Sequence, residues 1–172
     1  ILILRGASLR LLRLLTTALP EERQLTLWTW LNDLSTPSRD AIVSFSEGGA
    51  IMPITYTPLR FPGGKSKIYP FIISLIEAND LRGCTYAEAF CGGAGLAMKL
   101  LLRDDVSKVV LNDYDPAVYS IWDAVVNHSD ELCDYIETVP LDMNQWYACR
   151  DIYRATSSPS FALGKAAFYL NR

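Results

Sequence analysis

The chain has 172 residues, of which half are hydrophobic and 20% are charged. These values predict one globular domain with a substantial core, and they exclude a disordered or low-complexity chain. The net charge of −3 excludes an overall basic field that would attract nucleic acid, although a basic face can exist within a balanced total.

The cysteines and the histidine argue against a metal site. The four cysteines form no C-x-x-C pair, and His128 is the single histidine of the sequence. We therefore predict no metal, and we expect reduced thiols in a cytoplasmic protein. No apolar run reaches the roughly 18 residues that a membrane-spanning helix needs, so we predict no membrane partner.

The first fifty residues differ in composition from the rest. Ile1 to Leu19 is apolar, carries three arginines and has no acidic residue, which is typical of either an amphipathic helix or a targeting segment. Leu25 to Leu34 predicts a second short helix. Ser35 to Gly49 is rich in serine, proline and glycine, so we expect a linker there.

Residues 1–51 have two interpretations. They are either a native extension or translated upstream sequence, and in the second case Met52 is the native start. Glu47-Gly48-Gly49 favours the second interpretation, because its codons can spell a ribosome-binding site. The chain begins with Ile1 and stops within a helical pattern, so we expect a fragment cut at both ends.

From residue 65 onward the hydrophobic pattern is regular and predicts an α/β fold. We expect Asp115 to cap a helix that has Pro116 in its first turn, and Ser129 to cap the next helix. His128 is expected at a helix C-terminus. Trp122 is expected in the core. The predicted helices cover 68–78, 95–102, 116–127, 129–136, 142–153 and 161–170, and the predicted strands cover 84–90 and 108–111.

The most informative stretch is Tyr86 to Gly95, which reads Y-A-E-A-F-C-G-G-A-G. It predicts a strand, a tight glycine-rich loop and the start of a helix, which is how α/β folds receive an adenosine-bearing cofactor. The alternative is a tight turn that binds no ligand. Glu88 either binds the cationic amino-acid part of a cofactor or is a solvated acid at the strand end.

A second acidic signal follows the next predicted strand. Asp113 stands 18 residues past Gly95, a spacing that suits an acid contacting the ribose hydroxyls of such a cofactor. The alternative for Asp113 is a helix cap or a loop acid. Tyr114 either packs on an adenine face or belongs to the core.

A third signal precedes both, in Arg60-Phe-Pro-Gly-Gly-Lys65. Phe61, Gly63 and Gly64 form a rigid turn that presents Lys65 beside an aromatic ring. The lysine either pairs with a ligand carboxylate or is a solvated turn residue. A phosphate-binding G-x-x-x-x-G-K-[ST] loop is not favoured, because Leu59 stands where its first glycine is required.

These three blocks, in this order, resemble the N-terminal half of Dam-type DNA adenine methyltransferases. The blocks are Arg60 to Lys65, then E-A-F-C-G-G-A-G from Glu88, then L-N-D-Y-D from Leu111. The closing F-Y-L-N-R at Phe168 resembles the family segment that precedes its DNA-recognition region. The resemblance covers Pro58 to Arg172.

The resemblance implies a Rossmann-like α/β fold that binds S-adenosylmethionine, incomplete here, with the start of a helical DNA-recognition insertion. Residues 52–172 would form the N-terminal part of the methyltransferase domain. Double-stranded DNA is the implied partner, with a cognate restriction endonuclease acting separately. By analogy, the cofactor contacts are Phe61 and Lys65, the pocket is shaped by Phe90 and Gly92, and Asp113 holds the ribose.

The sequence departs from the family pattern at three places. Ala89 replaces a usual proline, and Ala94 replaces the second glycine of F-x-G-x-G. The catalytic D-P-P-Y block is absent, because Asp115-Pro116 continues as Ala-Val. We therefore expect the fragment to bind cofactor without methylating DNA. Two alternatives are another S-adenosylmethionine-dependent methyltransferase, acting on RNA or a small molecule, and a non-catalytic remnant.

Overall fold

A computed structural model of the chain describes residues 1–5 and 56–171. These residues form a mixed α/β structure, as predicted, with a three-stranded sheet and six α-helices. The strands are β1 (Leu2–Arg5), β2 (Thr85–Glu88) and β3 (Lys108–Leu111). The predicted bounds of β3 are confirmed, and β2 is shorter than the predicted strand at both ends.

The helices follow the predicted order closely. A 3-10 turn at Lys65–Ile68 leads into the first helix. None of the helices among the described residues is long and apolar enough to cross a membrane. The helices are α1 (Tyr69–Ala78), α2 (Gly95–Leu102), α3 (Pro116–Asn127), α4 (Ser129–Thr138), α5 (Met143–Ala155) and α6 (Phe161–Asn171).

The sheet has the order β1-β3-β2, with β3 in the centre. β2 and β3 are parallel, and Glu88 lies opposite Leu111. Parallel neighbours need a crossover connection, which α2 provides here. The carboxyl ends of β2 and β3 therefore meet at the same edge of the sheet, and the functional signals follow both of them.

The strand β1 corrects one interpretation of the sequence. An amphipathic helix was one alternative for residues 1–19, and it is wrong for Leu2–Arg5, which pairs antiparallel with β3. Leu2 and Leu4 are buried, whereas Ile1 and Ile3 are exposed. The other predictions for residues 6–51, and Met52, lie outside the described residues.

The predicted inner face of α3 is confirmed. Val118, Ile121, Trp122 and Val125 are all buried in the core, and Trp122 is fully enclosed. α6 packs tightly against α3, because Gly164 brings its backbone against the backbone of α3. The four helices α3 to α6 thus extend from the edge of the sheet where β3 ends.

Helix starts were predicted with mixed success. Asp115 caps α3 as expected, since its side chain accepts a hydrogen bond from the Ala117 N–H at 2.8 Å. His128 ends α3, also as expected. The prediction that Ser129 caps the next helix is wrong, because Ser129 is the first residue of α4 and His128 holds the cap position without a side-chain bond.

The apolar residues that recur along α1 and the turn before it are only partly buried. Ile76 lies in the core, but Ile68, Phe71 and Leu75 are exposed. Periodicity finds which residues share a face, and it does not show whether another element covers that face.

Candidate functional site

A cleft of about 230 Å³ lies where β2 and β3 end. The glycine-rich loop after β2 forms one wall, and the 60–65 block lies over that loop. Asp113, which follows β3, reaches the same cleft. The lining residues are Phe61, Pro62, Gly63, Gly64, Lys65, Glu88, Phe90, Cys91, Gly92, Gly93, Ala94, Gly95 and Asp113. The cleft therefore brings together every residue predicted for the site except Tyr114.

The close contact between Phe61 and the loop requires glycine. A Cβ added to Gly92 would lie 2.8 Å from Cε1 of Phe61, and one added to Gly93 would lie 2.8 Å from Cβ of Phe61. Carbon atoms do not approach so closely without something shifting. Gly92 also has a positive φ of 49°, which glycine adopts without strain. The two glycines thus let the aromatic ring rest directly on the loop backbone.

Hydrogen bonds hold Gly92 from two directions. Its N–H donates to Oδ2 of Asp113 at 2.8 Å, and its carbonyl accepts from the indole N–H of Trp122 at 2.7 Å. Oδ1 of Asp113 accepts from the Asp115 N–H at 3.1 Å. Asp113 thereby ties the two strand ends together. Because each carboxylate oxygen has two lone pairs, acceptor capacity is left for a ligand hydroxyl.

Glu88 and Lys65 form a paired charge at the cleft. The ammonium group of Lys65 lies 3.2 Å from Oε2 of Glu88 and donates to the Phe90 carbonyl at 2.6 Å. The Glu88 side chain is only 2% exposed, so the alternative of a solvated acid is wrong. The Lys65 side chain is 41% exposed, so it is partly solvated as well as paired with Glu88, and its contact with a ligand carboxylate stays a prediction.

Burial sets the protonation chemistry here. It raises the pKa of the Glu88 carboxyl, and the neighbouring Lys65 charge opposes that rise. The Tyr86 hydroxyl donates to Oε1 of Glu88 at 3.3 Å, and burial raises the pKa of Tyr86 to about 12. Burial likewise raises the pKa of the Cys91 thiol to about 12. At neutral pH that thiol is protonated and a poor nucleophile.

Two aromatic residues, Phe61 and Phe90, line the cleft, and Tyr114 directly follows the lining residue Asp113 in the chain. Phe90 is 71% exposed and Tyr114 is 92% exposed, while Phe61 is about half exposed. The alternative that Tyr114 belongs to the core is therefore wrong. Its ring does not line the cleft, and its packing on adenine stays a prediction. Exposed aromatic rings of this kind can flank a planar base.

The loop contains one unusual backbone conformation. Ala94, which stands where the family pattern has glycine, is left-handed with φ of 46° and ψ of 26°. Glycine adopts this region without strain, whereas a residue with a Cβ is strained there. The backbone conformation at Ala94 is therefore one that suits the glycine of the family pattern, and alanine adopts it here with strain.

Two further features lie outside this cleft: a buried carboxylate and a second, larger cleft. At the opposite edge of the sheet, the buried Asp105 accepts hydrogen bonds from Tyr69 and Arg82, which ties α1 to the core. A larger apolar cleft of about 570 Å³ separates parts of α4, α5 and α6 and includes Leu141 and Trp146. No metal-binding group occurs within residues 1–5 and 56–171, and no cysteine of that part forms a disulfide bond.

Residues 61–160, more than half of the chain, match the family model of the D12 class N6 adenine-specific DNA methyltransferases. The chain belongs to this family. The match includes the first sequence block from Phe61 onward, the other two blocks in full, and all the residues that line the smaller cleft. It ends at Ser160, so the resemblance noted for the segment from Phe168 stays a prediction. No curated protein and no solved structure matches the chain.

Membership of the D12 class supports an adenine-specific DNA methyltransferase-like function. The family acts on DNA and generally uses S-adenosylmethionine. The contribution that sequence reasoning missed is that of Trp122, which we expected only in the core. Its bond to Gly92 joins residues 30 positions apart, and no local pattern signals such a contact.

Proposed function

We propose that this chain is the N-terminal part of an adenine-specific DNA methyltransferase and that the smaller cleft binds S-adenosylmethionine. The observation that carries the proposal is the convergence of the glycine loop, Asp113 and the Lys65–Glu88 pair at the ends of two parallel strands. Ligands of open α/β sheets bind outside the carboxyl ends of the strands. The whole protein would have a Rossmann-like fold, of which β2, α2 and β3 form one unit.

The ribose of the cofactor is assigned to Asp113. Its carboxylate faces the cleft and is already oriented by the Gly92 and Asp115 N–H groups. A carboxylate fixed in this way can accept hydrogen bonds from the two ribose hydroxyls. Because its side chain is already ordered, binding costs little additional conformational entropy.

The methionine part is assigned to Glu88 and Lys65. Its α-ammonium group is complementary to the Glu88 carboxylate, and its α-carboxylate is complementary to the Lys65 ammonium group. The two side chains neutralise each other at 3.2 Å in the ligand-free chain. Binding of a zwitterion would exchange that one ion pair for two, which fits the chemistry of an amino acid.

The adenine ring is assigned to the aromatic mouth of the cleft. A cleft of about 230 Å³ is smaller than the roughly 300–1,000 Å³ of most ligand pockets, so it would enclose part of the cofactor and leave another part outside. Phe90 lines the cleft and Tyr114 follows Asp113 in the chain, and because both rings are exposed we assign them to stack on this outer part.

The reaction proposed for the family member is methyl transfer to adenine in double-stranded DNA. When bound, S-adenosylmethionine would supply an electrophilic methyl group to the 6-amino nitrogen, and the products would be 6-methyladenine, S-adenosylhomocysteine and a proton released to water. The adenine must leave the base stack for this to happen. The D-P-P-Y block that would receive it does not occur in these 172 residues, so we propose that this chain binds cofactor but does not itself methylate.

Isothermal titration of the chain with S-adenosylmethionine tests the cofactor assignment. Tyr114→Ala should weaken binding about tenfold, because an aromatic–base stack contributes about 1–3 kcal/mol. Its stability should not change, since the side chain is 92% exposed. The matched control is Leu141→Ala, at a 90% exposed residue of the larger cleft, which should bind like the wild type. Absence of binding by the wild type would refute the assignment.

A transfer assay with methyl-labelled cofactor and unmethylated duplex DNA tests the other half of the proposal. We expect no incorporation above the level of heat-denatured chain. Label recovered in 6-methyladenine would show that this chain methylates DNA by itself and would overturn the proposal that it only binds cofactor.

A further inference from the structure

Trp122 is a buried residue whose indole nitrogen contacts the glycine loop from the core side. The residue is fully enclosed within α3, and its indole N–H donates to the Gly92 carbonyl at 2.7 Å. It does not line the cleft, whereas Gly92 and Gly93 do. The loop therefore lies between the indole and the cleft.

The geometry of the peptide group links the two sides. The described residues contain no cis peptide bond, so the Gly92–Gly93 peptide is trans. A trans peptide directs its carbonyl and its N–H in opposite directions. Because Trp122 holds the carbonyl toward the core, the Gly93 N–H must point away from the core, toward the cleft.

The other contacts of Gly92 do not fix this peptide. The Gly92 N–H belongs to the preceding peptide, and it is held by Asp113. A left-handed glycine rotates with little strain, so the Gly92–Gly93 peptide could flip if its carbonyl were not held. A flip would turn a carbonyl oxygen toward the cleft in place of the N–H and would remove a donor.

We propose that Trp122 is a positioning residue of this site. Its indole N–H fixes the Gly92–Gly93 peptide so that the Gly93 N–H is presented to a hydrogen-bond acceptor of the bound cofactor. The statement about the loop stands on the ligand-free geometry, and the statement about the ligand rests on the function proposed above. Since Trp122 belongs to α3, the helical part of the chain directly supports the cofactor loop.

The test compares Trp122→Phe with Leu132→Ala. Phenylalanine keeps an aromatic ring but lacks the N–H, and Leu132 is a fully buried residue of α4 whose truncation lowers stability without removing a bond to the loop. Both variants are first shown to unfold cooperatively. The first measurement is amide hydrogen exchange at Gly92 and Gly93 by NMR in the ligand-free chain. The second is the affinity for S-adenosylhomocysteine.

We expect Trp122→Phe to change the exchange rate of the Gly93 amide, which belongs to the peptide that the indole holds, more than tenfold relative to Leu132→Ala at matched global stability. The Gly92 amide, which Asp113 holds, should change less. We also expect Trp122→Phe to weaken S-adenosylhomocysteine binding about 3–10-fold, the value of one hydrogen bond, while Leu132→Ala binds within about twofold of wild type. Unchanged exchange, or unchanged affinity in a folded Trp122→Phe chain, would overturn the proposal. If the wild type bound no ligand while exchange changed as expected, the proposed function would fail and the loop support would stand.

Discussion

Gly92 is the residue on which the site geometry depends most directly. It has a positive φ, it contacts the ring of Phe61, and hydrogen bonds hold both of its flanking peptides. Any side chain at this position meets two obstacles, one in the backbone and one in the aromatic ring above it. The consequence is measurable in stability.

Gly92→Ala should lower the free energy of unfolding by about 1–2 kcal/mol, the cost of a left-handed conformation for a residue with a Cβ. The measurement is urea unfolding followed by circular dichroism. Gly64→Ala is the control, because Gly64 has φ of −54° and its added Cβ would meet only the Phe61 carbonyl oxygen at 3.8 Å. A loss at Gly64 as large as the loss at Gly92 would contradict this account.

Glu88 makes stability depend on pH. Its carboxyl has a raised pKa in the folded chain, mainly through burial, so between the ordinary value of 4.5 and that raised value the folded state binds more protons than the unfolded state. Stability is therefore lost as the pH rises through this interval. Glu88→Gln removes the titration, so the variant should gain stability relative to wild type as the pH rises from 4 to 8.

Urea unfolding at several pH values measures this difference. Leu141→Ala is the control, because this 90% exposed residue has no titratable group, so the variant should follow the pH dependence of the wild type. If the Glu88→Gln chain lost stability relative to wild type as the pH rose, the folded pKa of Glu88 would be depressed instead, and the account of this carboxyl would be wrong.

At the residue scale, the sequence identified the composition of the site better than its internal contacts. Glycine, acid and lysine blocks are readable because each residue type suits one kind of ligand chemistry. The bond from Asp113 to Gly92 was not predicted, because it depends on how two strand ends meet in space. The sequence does not decide whether Tyr114 is exposed or belongs to the core, since a single aromatic residue after a strand carries no signal of exposure.

At the scale of elements, α3 connects the strand ends and the glycine loop with the helix α6. Asp115 fixes its start beside β3, and Trp122 reaches the glycine loop. On another side, Gly164 of α6 lies against the Ser120 carbonyl, and the Ser160 N–H donates to the Ser120 hydroxyl at 3.1 Å. α3 therefore contacts both the glycine loop that lines the cleft and α6.

Gly164→Ala tests the packing of α6 on α3. Helix propensity alone predicts a gain of about 1 kcal/mol for this change. The new methyl group would overlap the backbone carbonyl of Ser120, which no side-chain rotation relieves, so we expect a loss of about 1–3 kcal/mol.

Thermal and urea unfolding decide between the two signs. Ala162→Gly, at an exposed position of the same helix, serves as the control and should cost about 1 kcal/mol through propensity. A Gly164→Ala chain more stable than wild type would show that the two helices are not in backbone contact.

Helices were more predictable than strand pairing. The apolar pattern located α2 and α3 at their observed bounds, because α3 buries one side against the core and α2 is buried along almost its whole length. The strand β1 was missed because I-L-I-L is apolar at every position, so the alternation between its buried and exposed sides cannot be read from the letters. Its pairing with β3 also spans about a hundred residues and has no local signal.

At the scale of the whole molecule, the described part combines a small sheet with a layer of helices, and the cleft lies where the two meet. The family match covers both parts, from the block at Phe61 to the end of the loop before α6. The order of the blocks predicted the family, since three signals in sequence are far more specific than one glycine turn. The extent to which α1 is covered was not predictable, because it depends on which elements pack against it.

The most direct test of the central claim is an NMR titration of the isotope-labelled chain with S-adenosylmethionine. The account predicts that the largest amide shifts occur at Gly64, Gly92, Gly93 and Asp113, which line the smaller cleft. Residues of the larger cleft, such as Met143 and Trp146, should not shift. No shifts at saturating cofactor, or shifts centred on the larger cleft, would contradict the assignment of the cofactor site.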